Sequence, residues 1–256
     1  MRVAAVIPAR NEAETVGEVV TVALSAQNID EVWVVDNCSV DATAQVAESA
    51  GARVLSCPEE GKGQALSVGV AATDADVLVF LDADLVGLTP RHVERLASSV
   101  LDGSISMACG LFDRTRMLNP IFLHRLPILT GQRALLRTLF EKLDDKDVRG
   151  YRVEAALNSL CADLNLEVDS FVCQGLFHRT KEQKSASPLL GFLRKMAMLI
   201  TVLAGYAGYR ARRLGRGPGP GNRAALAVRS TRITDHPEQL TAPRAQLPRA
   251  TGRAIP

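Results

Sequence analysis

The sequence lacks the features that would place it in several large classes. Its five cysteines, Cys38, Cys57, Cys109, Cys161 and Cys173, are odd in number, widely spaced and without a C-x-x-C pair. That argues against both a disulfide framework and a zinc cluster. They read as reduced thiols, and the chain as cytoplasmic. The opening MRVAAVIPARNE has no signal-peptide apolar core, because Pro8, Arg10 and Glu12 interrupt the run at once, so no export is expected. No G-x-G-x-x-G turn follows the first apolar run and no G-x-x-x-x-G-K-[ST] loop occurs, which removes the dinucleotide-binding and P-loop readings. No repeat period is found, and no nucleic-acid partner is expected.

What is present supports one large domain with an appendage. A chain of 256 residues, 47% of them hydrophobic, can bury a sizeable core. The short apolar runs RVAAVIP, EVWVVD, ARVLSC and DVLVFLDAD alternate with the segments NEAETVGEVVTVALSAQ, SVDATAQVAESAG and GQALSVGVAAT, which read as helices. Strands that are continuous apolar runs with helices between them predict an α/β fold, a mostly parallel central sheet with helices on both faces.

The net charge of +2 hides an asymmetry. From Arg210 onward ten arginines meet only Asp235 and Glu238, so the first 209 residues are net acidic. Residues 215–256 are rich in Pro, Gly and Arg and show no sustained apolar period. Such a segment buries too little surface to offset chain entropy and is expected to be disordered, either attracting an anionic surface or simply aiding solubility. Ahead of it, within residues 186–214, fourteen uncharged residues lie between Lys195 and Arg210, short of the roughly 20 that span a bilayer. The basic flanks leave two readings open: an interfacial helix making peripheral contact with the inner face of the membrane, or a helix packed on the sheet or on a second subunit in a homodimer.

In open α/β sheets ligands bind beyond the carboxyl ends of the strands. Those ends are polar here: Pro8, Ala9, Arg10, Asn11 and Glu12 after the first strand, Asp36, Asn37, Cys38 and Ser39 after the second, EEGKGQA after the third, Asp82 and Asp84 after the fourth. Carboxylates two residues apart on an extended segment share a face. Asp82 and Asp84 therefore suit a hard cation, Mg²⁺ or Mn²⁺, whose other positions substrate phosphates fill; the alternative is a pair of turn residues. Lys62, between two glycines at a helix start, suits an anion, or lies innocently in a surface turn. Asp36 pairs with a base edge or caps a turn.

Taken together, these stretches resemble the GT-A fold nucleotide-diphospho-sugar glycosyltransferases of family 2. VIPARNEAETVGEVV looks like their first strand, nucleotide loop and first helix, VVDNCSVDAT like their D-x-x-S-x-D-x-T motif, and GKGQAL and LDADL follow in the expected order. GYRVEAALNSL followed by LFHRTKEQK is similar to the subset that includes glucosyl-3-phosphoglycerate synthases. The resemblance implies a GT-A domain over residues 1–185. It places Pro8, Ala9, Asn11, Glu12, Asp36, Lys62, Asp82 and Ala83 around the nucleotide sugar, and has Asp84 hold the metal with His178. Thr130, Gly131, Gln132 and Arg133, in TGQRALLR, would wall the sugar and acceptor pocket. Arg133 could clamp an acceptor phosphate or carboxylate, or join an ion pair with Asp144, Asp145 or Asp147.

Glu154, near the start of the helix in GYRVEAALNSLCADL, is the acid placed nearest the reaction. It would serve as base if transfer inverts the anomeric centre, and would hold acceptor or sugar if transfer retains configuration; otherwise it is a helix-start acid favoured by the macrodipole. The processive-synthase signature Q-x-x-R-W is absent, which favours single transfer. The expectation is a metal-dependent transferase moving one sugar from a nucleotide-sugar donor, a UDP-sugar, to a small-molecule or polyprenyl phosphate acceptor. A sugar nucleotidyltransferase would want a G-x-G-x-R loop that PARNEAET lacks, and the other rival is a degenerate, membrane-associated scaffold.

Overall fold

The computed structural model describes residues 1–113, 130–148 and 152–178. The expected helix within 186–214 and the tail from 215 lie outside the described residues, as does the end of the domain expected at 185. In chain order the elements are β1 (Val3–Ala9), α1 (Val16–Ser25), β2 (Glu31–Asp36), α2 (Thr43–Ser49), β3 (Arg53–Ser56), α3 (Lys62–Ala71), β4 (Val77–Phe80), β5 (Leu85–Val86) and α4 (Pro90–Leu101). There follow β6 (Met107–Phe112), β7 (Arg133–Leu136), α5 (Arg137–Phe140), α6 (Asp145–Val148), α7 (Arg152–Asp163), β8 (Val168–Cys173) and β9 (Phe177–His178).

Seven strands form one sheet in the order β3-β2-β1-β4-β7-β6-β8. β1 pairs in parallel with β2 and β4, β2 with β3, and β6 with β8, while β7 runs antiparallel to its neighbours β4 and β6. β5 and β9 make a separate antiparallel ribbon. The sheet is thus mostly parallel with helices packed on it, as its continuous apolar strands predict.

Alternation along each strand divides the buried residues between two cores. Val3, Ala5, Ile7 and Ala9 of β1 join Val77 and Val79 of β4 against Val16, Val19 and Val20 of α1 and Val93 and Leu96 of α4. Val6, Leu78 and Phe80 face the other way, toward Leu66 and Val70 of α3 and Val153, Leu157 and Leu160 of α7. Each Val, Leu, Ile or Phe among them contributes about 1.5–3 kcal/mol when fully buried, and the two cores fix the strands whose ends carry the polar residues. Phe80 also meets Phe140 edge to face, centroids 5.6 Å apart, a geometry the aromatic quadrupoles favour.

Two boundaries differ from the sequence reading, both near the strand ends that matter. β1 continues through Pro8 to Ala9; a parallel strand tolerates the imino residue where no ladder donor is needed. β4 stops at Phe80, so Asp82 and Asp84 lie in the turn between β4 and β5. Lys62 is the first residue of α3, entered through Gly61 at φ +144°, a conformation that L residues with a side chain rarely adopt.

Candidate active site

The β1–α1 loop is fastened to the β2–α2 loop by the very residues that make up the D-x-x-S-x-D-x-T pattern. Ser39 Oγ accepts from Asn11 N (3.0 Å), Thr43 Oγ1 from Glu12 N (2.8 Å) and Asp41 Oδ2 from Ala13 N (3.3 Å). Asn11, at φ +55°, returns a bond by accepting from Val40 N through Oδ1 (2.8 Å). Asp41 Oδ1 also accepts from the Thr43 amide (3.0 Å) and hydroxyl. The Thr43 hydroxyl, foremost among these donors, holds the Asp41 carboxyl below its ordinary value.

A second brace joins the third loop. Asn37 is buried, donates Nδ2 to Glu59 O (2.6 Å) and accepts through Oδ1 from Gly61 N (2.8 Å), so the end of β2 fixes the entrance to α3. Arg10 reaches the same loop from β1 in a forked pair with Glu60, both nitrogens 2.7 Å from a carboxylate oxygen. Pro8, Ala9, Asn11, Glu12 and Asp36 therefore stand together at the carboxyl edge of β1 and β2. Asp36 keeps one buried oxygen, Oδ1, without a hydrogen-bond partner among the described residues.

The charged centre lies beside this edge. Lys62 Nζ bridges Asp82 Oδ1 at 2.6 Å and Glu154 Oε1 at 2.8 Å, with the three side chains only 12–15% exposed. Burial by itself would lower the lysine pKa, but the two carboxylates outweigh it and hold the ammonium well above its ordinary value. Asp84 and His178 form the other half. Pairing of Leu85 with His178 across the β5–β9 ribbon brings His178 Nδ1 to 3.2 Å from Asp84 Oδ1. Burial opposes both charges, yet the mutual hydrogen bond prevails: Asp84 sits below, and His178 above, its ordinary pKa. The His178 ring also lies 3.9 Å, centroid to centroid, from that of Phe112.

One ligand atom each from Asp82, Asp84 and His178 lies within 4.8 Å of the others. Two carboxylates and an imidazole are a donor set suited to Mn²⁺, and through the carboxylates to Mg²⁺. The charges agree with that fit. With a neutral imidazole, three carboxylates face one ammonium, an excess of negative charge that a divalent cation balances.

The TGQR segment is placed differently from the sequence expectation. Arg133 is 1% exposed and turns inward, donating Nη2 to Thr130 O (2.6 Å) and Nη1 to Asn158 Oδ1 (3.3 Å) and Glu154 O (3.5 Å). It neither faces an acceptor nor pairs with a carboxylate among these partners; its guanidinium ties the start of α7 to the loop before β7. Thr130 and Gln132 are likewise buried, and Gln132 Nε2 donates to Asp82 Oδ2 at 2.7 Å. Gly131 backs the same carboxylate, since a Cβ there would stand 2.3 Å from both of its oxygens. Ala83 is buried within the turn. Sequence reasoning missed Asn37 and Phe112. Asn37 stood among polar loop residues with nothing to single it out, and Phe112 is one more apolar residue in an apolar strand.

Comparison with known proteins agrees with this arrangement. The family model Glycosyl transferase family 2 matches residues 4–158. Glucosyl-3-phosphoglycerate synthase of Mycolicibacterium smegmatis is 39% identical over 124 residues, 44% of this chain and 41% of the relative. The Petrotoga mobilis enzyme of that name is 29% identical over 128 residues, 44% of this chain and 39% of the relative. The chain thus spans about two fifths of the length of these curated relatives. Among solved structures, glucosyl-3-phosphoglycerate synthase from Mycobacterium tuberculosis in complex with Mn²⁺, uridine-diphosphate-glucose and phosphoglyceric acid superposes with a TM-score of 0.67 at 27% identity, covering 81% of this chain and 79% of that one. The same protein with Mg²⁺ and uridine-diphosphate gives a TM-score of 0.67 at 28% identity over the same shares.

Proposed function

From the premise that the chain belongs to glycosyl transferase family 2, we propose that it moves one sugar from a UDP-sugar to a hydroxyl of a small acceptor, using Mn²⁺ or Mg²⁺. The observation that carries this reading is the convergence of Asp82, Asp84 and His178 at the carboxyl end of β4, beside a lysine and a further buried acid.

Asp84 and His178 would hold the cation directly. Bound there, it supplies charge stabilisation to the departing diphosphate. Asp82, already donated to by Lys62 and Gln132, is left to orient the donor. Lys62, at the first position of α3, adds an ammonium and a helix N-terminus on the side where phosphate charge gathers. Asp36, the last residue of β2, would stand beside the base. Glu154 spends Oε1 on Lys62, and Oε2, without a partner among the described residues, is free to hold the acceptor hydroxyl or take its proton.

Phosphoglycerate is the first acceptor to try, because the M. tuberculosis protein was solved with it. The polyprenyl phosphate acceptor, peripheral membrane contact at the cytoplasmic face and homodimer expected from residues 186–214 rest on a segment outside the described residues and form a second arm of the assay. The experiment titrates the full chain with UDP, GDP, ADP and CMP, with and without Mn²⁺, and then follows transfer from UDP-glucose to 3-phosphoglycerate or to polyprenyl phosphate in vesicles. Metal-dependent preference for UDP is the expected result. A folded chain that binds none of the four nucleotides overturns the reading in favour of a scaffold.

A further inference from the structure

We infer that Gln132 is a positioning residue for Asp82, held in register by Thr130, and that the donor site depends on this relay. The inference rests on the nucleotide-sugar reading above and adds to it a residue that touches neither donor nor metal.

The argument begins with what a carboxylate in a turn requires. Asp82 lies just past the end of β4, where no strand hydrogen bond fixes its side chain, and a free carboxylate there would sample several rotamers. Three contacts remove that freedom. Lys62 takes Oδ1 at 2.6 Å. Gln132 Nε2 takes Oδ2 at 2.7 Å. Gly131 presents bare backbone behind both oxygens, where a Cβ would stand only 2.3 Å away.

Of the two donors, Gln132 is the better fixed. It is 0% exposed, and its own carbonyl Oε1 meets the Thr130 hydroxyl at 2.6 Å. The Asp82 carboxylate can only accept, so it takes the Nε2 end of the amide and leaves Oε1 toward the hydroxyl. The Thr130 hydroxyl also lies 2.6 Å from Gly110 O on β6, so its single proton is shared between that carbonyl and Gln132 Oε1, and Thr130 is 2% exposed. The relay therefore runs from the backbone of β6 through the buried Thr130 and Gln132 to the partly buried Asp82. Lys62, by contrast, is shared with Glu154 and is free to exchange partners when a diphosphate arrives. Gln132 carries no charge for a phosphate to attract, so its bond to Asp82 persists in both states.

A positioning role makes a distinct prediction. Replacing Gln132 by Met keeps the length of the side chain and removes both polar ends, leaving a buried carboxylate oxygen without its donor. The loss expected in UDP–Mn²⁺ affinity is about tenfold. In an Asp82→Ala background there is no carboxylate to position, so Gln132→Met should add little further loss. A merely structural contribution would instead weaken binding by a similar factor in both backgrounds.

The experiment is a double-mutant cycle on the full chain: wild type, Gln132→Met, Asp82→Ala and the double variant, each titrated calorimetrically with UDP in saturating Mn²⁺ and checked for folding by circular dichroism. Thr130→Val, which deletes the anchoring hydroxyl at nearly constant volume, serves as a second entry into the relay. A tenfold loss in Gln132→Met that vanishes in the Asp82→Ala background, with a smaller loss in Thr130→Val, supports the inference. Undiminished binding by Gln132→Met and Thr130→Val, or equal losses in both backgrounds, overturns it while leaving the nucleotide-sugar reading standing. A folded wild-type chain that binds no UDP with Mn²⁺ overturns that reading, and this inference with it.

Discussion

Replacing Lys62 by Met isolates the electrostatic logic of the site. The ammonium lies 2.6 Å from one oxygen of Asp82 and 2.8 Å from one of Glu154, so those oxygens are at most about 5.4 Å apart. Without the lysine, and with an effective dielectric near 20, two carboxylates at that separation repel by roughly 3 kcal/mol, within the range measured when one member of a buried ion pair is removed. The three side chains are 12–15% exposed, so solvent screening reduces this little. Lys62→Met should therefore lose about 3 kcal/mol of stability at neutral pH, read as a lower urea midpoint. Lys62→Met combined with Glu154→Gln should recover most of the loss, because one of the repelling charges is gone. The wild-type lysine contribution has the sign of a raised pKa: it is fully present below the ordinary lysine value of 10.5 and erodes only above it. If Lys62→Met matches wild type, or if the second substitution makes it worse, the bridge is not a charge-balancing element and the reasoning fails.

Three further outcomes follow from the same geometry. Asp84→Ala should abolish Mn²⁺-dependent nucleotide binding with the circular dichroism spectrum unchanged, and undiminished Mn²⁺ dependence would sink the metal assignment. His178 has a raised pKa from Asp84, so its contribution to the metal-free fold is complete below the ordinary histidine value of 6.5 and lost as pH climbs through the folded one. Mn²⁺, which needs the neutral imidazole, should show the opposite trend, binding more tightly as pH rises; melting curves and paramagnetic resonance between about pH 5.5 and 8.5 test the pair of signs. Gly131→Ala would drive a methyl group to 2.3 Å from both oxygens of Asp82. Overpacking of this kind typically costs about 1–3 kcal/mol, and a melting temperature and UDP affinity equal to those of wild type would show that the turn has room that the geometry denies.

The first four strands were legible because they are short apolar runs between turn signals, most of them buried on both faces, so the period that usually separates strand from helix was not needed; β5 to β9 were not singled out. The site was half legible for a related reason. Asp36, Asp82 and Asp84 carry charge just at or past strand ends and Lys62 at a helix start, where an apolar chain has no structural need of it, and Glu154 and His178 stood out through the motifs around them. Arg133 misled because sequence shows a charge without showing which way it turns. Two residues after Gly131 the chain is already in β7, and the guanidinium points down into carbonyl partners instead of out toward a ligand. Asn37 and Phe112 gave no signal, since each acts through contacts with residues far along the chain, at 59–61 and at 178.

That distinction bears on how the chemistry is assembled. The residues proposed to bind by charge stand mostly at loops or element ends, and several of these places are braced by an uncharged side chain from another element. Asn37 holds the entrance to α3, Gln132 holds Asp82, and Phe112 backs His178. A neutral brace does not compete with a cation or a diphosphate for the charged group it supports, so it can remain in place when the ligand enters. A charged brace such as Lys62 must redistribute its bonds at that moment. The arrangement divides the work accordingly: amides and a ring fix geometry before binding, while the Lys62 bridge keeps two carboxylates together until the cation supplies the missing positive charge. On this view the neutral braces tolerate replacement only by residues that keep the same donor or the same shape, whereas the charged centre tolerates only changes that keep its net balance.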